Sequence, residues 1–405
     1  MCHLLTGIRS KYLERHGNNQ YRVGVASMLG RRESMEDRHV VKLGMEHHPS
    51  ISYFAVFDGH GGFATSNYLR STLHERIDAM DNPTSDTAAL CRVFEDLDAD
   101  YMQTGRGSGS TACVVLSEPI SNSIMENGQN MVRLTICNVG DSRCTVYLKD
   151  GTVVFTTVDH KPTTPSEMDR IVRAGGRVVC GRVDGSLALS RAFGDALYKW
   201  NRDVPLTQQK VVSTPTITQL TVPADDHRIL VACDGIYECL SNQQVAYILG
   251  SSTLHDVARY ANGPDPMQSL IYLLDRSLVS GSFDNMTAIL IESSDGSAYG
   301  PTSVYLPAVC TSAQLADSVY MAEYAYDAEL NGVDEEQIKA LVGTKAVSEI
   351  GKQHGISELL SVAYASSSTD IGDTSISVSS SAVEPRSAGA IAEDEVYNDW
   401  GQENE

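Results

Sequence analysis

The sequence has no long run of apolar residues, and none of its nine cysteines forms a Cys-X-X-Cys pair. A membrane-spanning helix needs about 20 consecutive apolar residues, and a secretory signal needs an apolar core near the N-terminus. Neither pattern is present, and the second residue is cysteine where N-myristoylation requires glycine. The dispersed cysteines indicate free thiols in a reducing compartment. We therefore expect a soluble intracellular protein, cytoplasmic or nuclear, with no membrane partner.

Basic residues are also scarce, since 31 lysines and arginines face 52 acidic residues and give a net charge of −21. Because nucleic-acid binding depends on cations that neutralise phosphates, this balance argues against a nucleic-acid partner. The charge is uneven: residues 301–405 hold 4 basic and 18 acidic residues, a net of −14. The glycine-rich stretch at 107–110 lacks the Gly-Lys-Ser/Thr ending of a nucleotide-binding loop and precedes a predicted strand, which excludes that function.

The first 300 residues contain both strand and helix patterns. Some strands follow one another as hairpins and others follow helices, which is typical of an α+β protein. Thr164 and Pro165 predict a helix start, with Glu167 placed to complete a capping box. Apolar runs predict strands at 21–28, 51–57, 111–116, 133–139, 229–233 and 287–291, and helical patterns predict helices at 63–80, 84–102 and 266–278.

Three aspartates lie at the ends of predicted strands. Asp58 and Asp234 each follow an apolar run, and Asp284 precedes one. Such carboxylates converge only where the strands lie side by side, and converging carboxylates repel unless hard cations neutralise them. A pair of these ions holds a hydroxide and clamps an in-line displacement at phosphorus, so the pattern indicates a divalent-metal hydrolase. Taken singly, each aspartate also fits an ordinary turn.

The residues around these aspartates carry suitable chemistry. Gly59 lets a backbone carbonyl approach a metal, and His60 can protonate a leaving group near neutral pH. Arg32 offers a fork to phosphate oxygens, while Glu36 and Asp37 can hold metal-bound waters. The alternatives are a tight turn at 58–62 and a surface ion pair between the arginine and the two acids.

Taken together, the motifs resemble those of the metal-dependent serine/threonine protein phosphatases of the 2C type. They occur in the family's order over residues 21–292. The resemblance implies an antiparallel two-sheet β-sandwich flanked by helices on both sides (α-β-β-α). The matching stretches are GRRESMEDR (30–38), VFDGHGG (56–62), GSGSTA (107–112), NVGDSR (138–143), DHKP (159–162), GSLALSRAFGD (185–195), ACDGIYE (232–238) and GSFDNMT (281–287).

The resemblance also implies a role for each of ten residues. Two ions, Mg²⁺ or Mn²⁺, would occupy the main site, and a third would bind more weakly. The implied roles are Asp58 as bridging ligand, Gly59 as carbonyl ligand, Asp234 and Asp284 as ligands of the second ion, Glu36 and Asp37 as holders of metal-bound water, Arg32 as the phosphate-binding residue, His60 as general acid, and Asp141 with Glu238 at the third ion. The family usually has aspartate at position 238, so the longer glutamate puts the geometry of the third site in question.

The implied activity is hydrolysis of phosphoserine and phosphothreonine in protein substrates by a hydroxide that bridges two metal ions. Two alternatives stay open, a catalytically inactive scaffold that binds phosphoproteins and a phosphatase of small phosphoesters. Neither the physiological substrate nor the oligomeric state follows from the sequence.

A change in composition near residue 300 divides the chain. We expect an N-terminal extension at 1–20, a catalytic domain at 21–300, a C-terminal helical extension at 301–365 and an acidic, serine-rich, disordered tail at 366–405. Because every assigned site residue precedes residue 293, we expect a chain that ends near Pro301 to fold and to keep its activity.

Overall fold

The structure is a computed structural model that describes residues 7–120, 130–250, 265–308, 314, 318–331 and 333. The strands are β1 (Lys11–Gly17), β2 (Tyr21–Met28), β3 (Arg38–Lys42), β4 (Ser52–Phe57), β5 (Gly59–His60), β6 (Gly109–Ser110), β7 (Ala112–Pro119), β8 (Met131–Val139), β9 (Arg143–Tyr147), β10 (Val153–Thr156), β11 (Val178–Val179), β12 (Arg182–Val183), β13 (Phe193–Gly194), β14 (Thr216–Pro223), β15 (Arg228–Ala232), β16 (Met286–Ser293) and β17 (Thr302–Leu306).

The strands form two large antiparallel sheets and two small ones. The larger sheet has seven strands in the order β10-β9-β15-β16-β2-β1-β17, and its partner has five in the order β14-β8-β7-β4-β3. A three-stranded sheet, β13-β6-β5, and a hairpin of β11 and β12 complete the set.

The described helices lie between and after these strands. They are α1 (Ala64–Asp78), α2 (Thr87–Met102), α3 (Pro165–Arg173), α4 (Asp234–Tyr237), α5 (Asn242–Gly250), α6 (Pro266–Val279) and α7 (Ser318–Leu330), with short 3-10 turns at Ala196–Tyr198 and Leu206–Gln208. In the part of the chain that the structure describes, none of them combines the length and the apolar character that crossing a bilayer requires.

The hydrophobic core has three layers. Side chains of both large sheets fill the space between them, for example Val25 and Ile289 from one and Val56 and Ile136 from the other. Helices α1 and α2 cover the outer face of the five-stranded sheet, and α5 and α6 cover that of the seven-stranded sheet. Every residue of β4 is buried, which explains its unbroken apolar run. The predicted α+β sandwich flanked by helices is confirmed.

The predicted domain boundaries at residues 21 and 300 need correction. Strand β1 lies inside the supposed N-terminal extension, and β17 lies beyond the supposed C-terminal limit. The two strands pair antiparallel, with Tyr12 opposite Tyr305, and β1 also pairs with β2. The sequence around β1 is rich in charged residues and shows no apolar run, so its burial depends on tertiary partners. A chain that ends near Pro301 would lose the edge strand β17.

Helix α7 packs on the sandwich rather than standing apart from it. Its residues Tyr320 and Tyr324 form a buried cluster with Ile8, Leu29 and Tyr305, and Met35 packs against that cluster. Because Met35 belongs to the loop between β2 and β3, this helix supports the loop that carries Arg32, Glu36 and Asp37. The predicted helical extension is therefore present at 318–330, while 335–365 and the tail at 366–405 lie outside the described residues.

Candidate metal centre and active site

Three aspartates meet at one edge of the sandwich. Asp58 follows β4, Asp141 follows β8, and Asp234 begins α4 directly after β15. One carboxylate oxygen from each lies within 4.8 Å of the others. The backbone of Asp58 is fixed by Thr111, whose hydroxyl accepts from the Asp58 N–H at 3.1 Å and whose N–H donates to the Asp58 carbonyl at 2.8 Å. The convergence expected for Asp58 and Asp234 is present, and Asp141 joins them.

The electrostatics of this cluster are unfavourable without a cation. Burial, followed by the negative charges of the neighbouring aspartates, raises the pKa of Asp58 well above its ordinary range. The same causes raise the pKa of Asp234 well above its ordinary range. Buried like charges of this kind are stable only when protonated or when a cation neutralises them. The cluster is therefore suited to divalent ions.

A second group formed by Asp37, Asp58 and Cys233 adjoins the first. Asp37 is 4% exposed, its Oδ2 is buried without a hydrogen-bond partner, and burial raises its pKa to about 7. Burial also raises the pKa of the Cys233 thiol well above its ordinary value, so this sulfur stays protonated and is a poor ligand. The donors that remain are carboxylate oxygens, which suit Mg²⁺ or Mn²⁺ better than a soft metal.

Gly59 allows the chain to pass close to the neighbouring loop. A Cβ atom built at this position would lie 2.5 Å from the Glu36 carbonyl oxygen and 2.9 Å from Ser66 Oγ, so a larger residue does not fit. The Glu36 carboxylate accepts from the Gly62 N–H at 2.9 Å and from Ser34 Oγ at 2.8 Å. These contacts fix the Glu36 carboxylate beside the turn that follows Asp58, and we predict that it holds metal-bound water.

Asp284 belongs to neither of the two clusters of metal-ligating side chains found among the described residues. Its Oδ2 instead pairs with Arg32 Nη2 at 2.5 Å, and Arg32 Nε donates to the Phe283 carbonyl at 3.0 Å. Burial raises the pKa of Asp284, and its charge contributes to the raised pKa of both Asp58 and Asp234. The sequence predictions for Asp284 and Arg32 thus meet in one ion pair beside the cluster.

Asp141 and Glu238 point to different partners. Asp141 Oδ2 accepts a short hydrogen bond from Lys161 Nζ. Glu238 Oε1 accepts from Ser282 Oγ at 2.7 Å and from the Phe283 N–H at 2.9 Å, and it is in neither carboxylate group. The third-ion role that the sequence predicts for these two residues stays a prediction, and Lys161 supplies a positive charge beside Asp141.

His60 contacts an acid that sequence reasoning missed. Its Nε2 lies 2.6 Å from Asp195 Oδ2. Burial lowers the pKa of His60, but the bond to Asp195 and the charges of Asp195, Asp141 and Glu36 raise it above its ordinary value overall. Asp195 and Lys161 lie in the GSLALSRAFGD and DHKP stretches, which signalled their importance without indicating their partners.

Comparisons with known proteins identify the family of this chain. The family model described as "Protein phosphatase 2C" matches residues 21–286. Human protein phosphatase 1B is 34% identical over 288 residues, which cover 68% of this chain and 58% of that protein. The chain thus spans less than three fifths of that relative's length. A probable protein phosphatase 2C from rice is 30% identical over 342 residues, 72% of this chain and 90% of the relative.

Solved structures show the same fold. A phosphatase from a pathogenic strain of Toxoplasma gondii superposes with a TM-score of 0.63 at 26% identity, covering 73% of this chain and 99% of that one. A sex-determining protein of Caenorhabditis elegans gives a TM-score of 0.52 at 25% identity, covering 66% of this chain and 64% of that one. Together with the match over residues 21–286, these similarities show that the chain belongs to the protein phosphatase 2C family.

Proposed function

We propose that this protein is a protein serine/threonine phosphatase that removes phosphate from phosphoserine and phosphothreonine with the help of two divalent ions, Mg²⁺ or Mn²⁺. The observation that carries the proposal is the group of Asp58, Asp141 and Asp234, in which one carboxylate oxygen from each residue lies within 4.8 Å of the others. Family membership and the names of the relatives, which are protein phosphatases, support the same reaction.

The residues present fit a pair of hard cations. Asp58, the carbonyl of Gly59, Asp234 and Asp284 would hold the ions directly, and Glu36 and Asp37 would hold water bound to them. When bound, the ions supply a water of lowered pKa as the nucleophile and neutralise charge on the transferred phosphoryl group. Asp284 Oδ2 is paired with Arg32 in this structure. A metal ion held at that oxygen would compete with the ion pair and would release the Arg32 guanidinium for substrate.

Arg32 is the residue that we assign to substrate phosphate. Its side chain is 35% exposed at the edge of the acidic cluster, where a planar guanidinium can bind two phosphate oxygens at once. His60 lies two residues after Asp58. We assign to it the role of general acid, which gives its proton to the departing serine or threonine oxygen. The substrate would be a phosphorylated segment of another protein, because the described cluster lies at the edge of the sandwich and not in an enclosed cavity.

The decisive experiment is release of phosphate from a phosphothreonine peptide. We expect release with Mn²⁺ or Mg²⁺, none with a chelator, and recovery when the ion is restored. Rates on nucleotide and sugar phosphates should be much lower than on the peptide. A higher rate on those small esters would make the protein a small-molecule phosphatase, and peptide binding without hydrolysis would make it a scaffold.

A substitution at Arg32 tests the substrate-binding role. Arg32→Lys keeps the charge but loses the two-pronged contact, so we expect KM for the phosphopeptide to rise about tenfold. The matched control is Arg76→Lys, because Arg76 is an exposed arginine paired with Asp100 on the helical face. An unchanged KM in Arg32→Lys would reduce Arg32 to a structural partner of Asp284.

We further propose the cytoplasm or the nucleus as the site of action. The seven cysteines among the described residues are all free, and four of them are buried in the sandwich or beside the metal centre. Such thiols suit a reducing compartment. Cell fractionation with an antibody against the protein tests this placement, and recovery from the secretory pathway would contradict it.

A further inference from the structure

The pair of His60 and Asp195 is built from segments far apart in sequence. Asp195 Oδ2 and His60 Nε2 are 2.6 Å apart, and the two side chains are 8% and 29% exposed. Among the described residues, no hydrogen bond occupies the other ring nitrogen, Nδ1. Asp195 therefore holds one nitrogen of the ring and leaves the second one free to donate a proton.

A small sheet of three strands brings the two residues together. β5 contains His60, β13 ends one residue before Asp195, and β6 runs between them. In this register Gly109 of β6 lies opposite both His60 and Gly194. A Cβ atom at Gly109 would lie 2.2 Å from His60 Nε2 and 2.4 Å from Asp195 Oδ2. The contact between the two side chains thus requires glycine at position 109.

Asp195 is held in a costly conformation by buried partners. Its φ is 52°, in the left-handed region that residues other than glycine enter infrequently. The segment around it is anchored by Asp98, which accepts from the Gly194 N–H at 2.7 Å and from Lys199 Nζ at 2.5 Å. Lys199 and Asp98 are almost fully buried. Strain that the surroundings maintain at such a place points to a functional requirement.

We propose that Asp195 is a positioning residue, which orients the His60 ring so that Nδ1 presents its proton to the leaving oxygen of the substrate. The inference deepens the proposed phosphatase function and rests on it. In the reaction, the bond between phosphorus and the serine or threonine oxygen breaks as the oxygen of a water molecule bonds to phosphorus, and that water gives up one proton to solvent. The departing oxygen takes the Nδ1 proton, and the neutral ring keeps Nε2–H on Asp195. Solvent water then returns a proton to Nδ1.

The test compares two leaving groups. In a phosphothreonine peptide the leaving group is the threonine alkoxide, which is poor and needs a proton. In an activated aryl phosphate the leaving group is a stable phenolate, which needs none. A general acid typically contributes about 10²–10⁴-fold to the rate. Because Asp195→Asn should remove only part of that contribution, we expect it to lower kcat on the peptide by about 10- to 100-fold. On the aryl phosphate we expect less than about a threefold change. Asp203→Asn, on the exposed loop eight residues later, is the matched control and should change neither rate.

A double-mutant cycle separates positioning from a general structural effect. Because Asp195 acts through His60, adding Asp195→Asn to His60→Gln should cause no further loss on the peptide. Gly109→Ala, which forces the two side chains apart, should reproduce the selective loss. Equal losses on both substrates, or additive losses in the double variant, would overturn the proposal.

A spectroscopic readout is independent of turnover. In ¹⁵N-histidine spectra we expect the His60 Nε2 of the wild type to stay protonated, and Asp195→Asn to remove that preference while Asp203→Asn leaves it unchanged. An unaltered spectrum in Asp195→Asn would overturn the proposal. A wild-type protein that binds metal but hydrolyses no phosphopeptide would instead refute the proposed function, so the two failures are distinguishable.

Discussion

The protein buries acidic side chains in two regions and provides for them in opposite ways. At the metal centre, Asp58 and Asp234 lie among other carboxylates, and burial with like charges raises the pKa of both. In helix α3, Glu167 is more deeply buried at 3% exposure, but it pairs with Arg170 and Arg191 at 2.6 Å each. Burial alone would raise the pKa of Glu167, yet the two guanidiniums lower it to about 2.

The Glu167 carboxylate is neutralised by arginines of the same chain, whereas the carboxylates of Asp58 and Asp234 are left to be neutralised by a bound cation. The arginine-paired glutamate gains its stabilisation within the chain, so we interpret it as structural. The aspartate cluster lowers the stability of the ion-free protein, and such a cost persists where a site must bind cations. A buried acid therefore indicates a functional site only when the charges of its neighbours leave it without an opposing charge.

The largest expected effect comes from breaking the aspartate cluster. Asp58→Asn removes the proposed bridging ligand, so we expect metal-dependent turnover to fall by orders of magnitude. The same change relieves repulsion, and we expect the melting temperature of the chelated protein to rise by a few degrees. Both are measured on one preparation, by phosphate release with Mn²⁺ and by thermal unfolding with chelator. Wild-type turnover, or a lower melting temperature in chelator, would contradict this account.

The opposite result is expected in helix α3. Glu167→Gln leaves Arg170 and Arg191 without an opposing charge, and breaking a buried pair costs about 3–5 kcal/mol of unfolding free energy. Activity per folded molecule should change far less than stability. The matched control is Asp100→Asn, which breaks an exposed pair with Arg76 and should cost about 0.5 kcal/mol or less. Urea unfolding measures both variants, and equal losses would remove the distinction between the two regions.

The same comparison shows what local sequence patterns can predict. Asp58 and Asp234 were predictable because each follows an apolar run that could only be a buried strand. Glu167 also fitted a local pattern, the third residue after a Thr164 cap, and that interpretation is wrong. Thr164 makes no side-chain cap, and Glu167 turns to Arg191, which lies 24 residues away. A capping box contributes little, so the stronger tertiary charge pairs prevailed.

Partners distant in sequence explain the other misses. His60 and Asp195 are 135 residues apart, and no spacing rule links them. Strand β1 escaped prediction because its charged side chains are buried by remote partners: Lys11 pairs with Asp275 at 2.8 Å, and Glu14 pairs with His39 at 3.1 Å. The apolar stripe of helix α6 needed no such partner, since its period alone defined the buried face.

The smallest expected effect concerns a buried acid whose partners are neutral hydroxyl groups, neither other carboxylates nor arginines. Asp327 of helix α7 accepts from Ser10 Oγ at 2.5 Å and from the Tyr305 hydroxyl at 3.0 Å, and no cation among the described residues pairs with it. Burial raises its pKa to about 6, against 3.8 for the exposed group. Because the folded-state pKa is raised, the stabilisation is complete below about pH 4 and is lost as the pH rises through 6, by about 3 kcal/mol at most. Asp327→Asn mimics the protonated form and should remove this dependence.

The measurement is the difference in unfolding free energy between Asp327→Asn and the wild type, at pH 4.5 and at pH 7.5, in chelator. We expect the variant to gain up to about 3 kcal/mol relative to the wild type at the higher pH and about 1 kcal/mol at the lower one. Taking the difference cancels the titration of the metal centre, which both proteins share. Asp81→Asn, at an exposed position, should show no pH-dependent difference. A variant that is less stable than the wild type at pH 7.5 would mean that the ionised carboxylate holds helix α7 on the sandwich, as the arginine pairs hold Glu167.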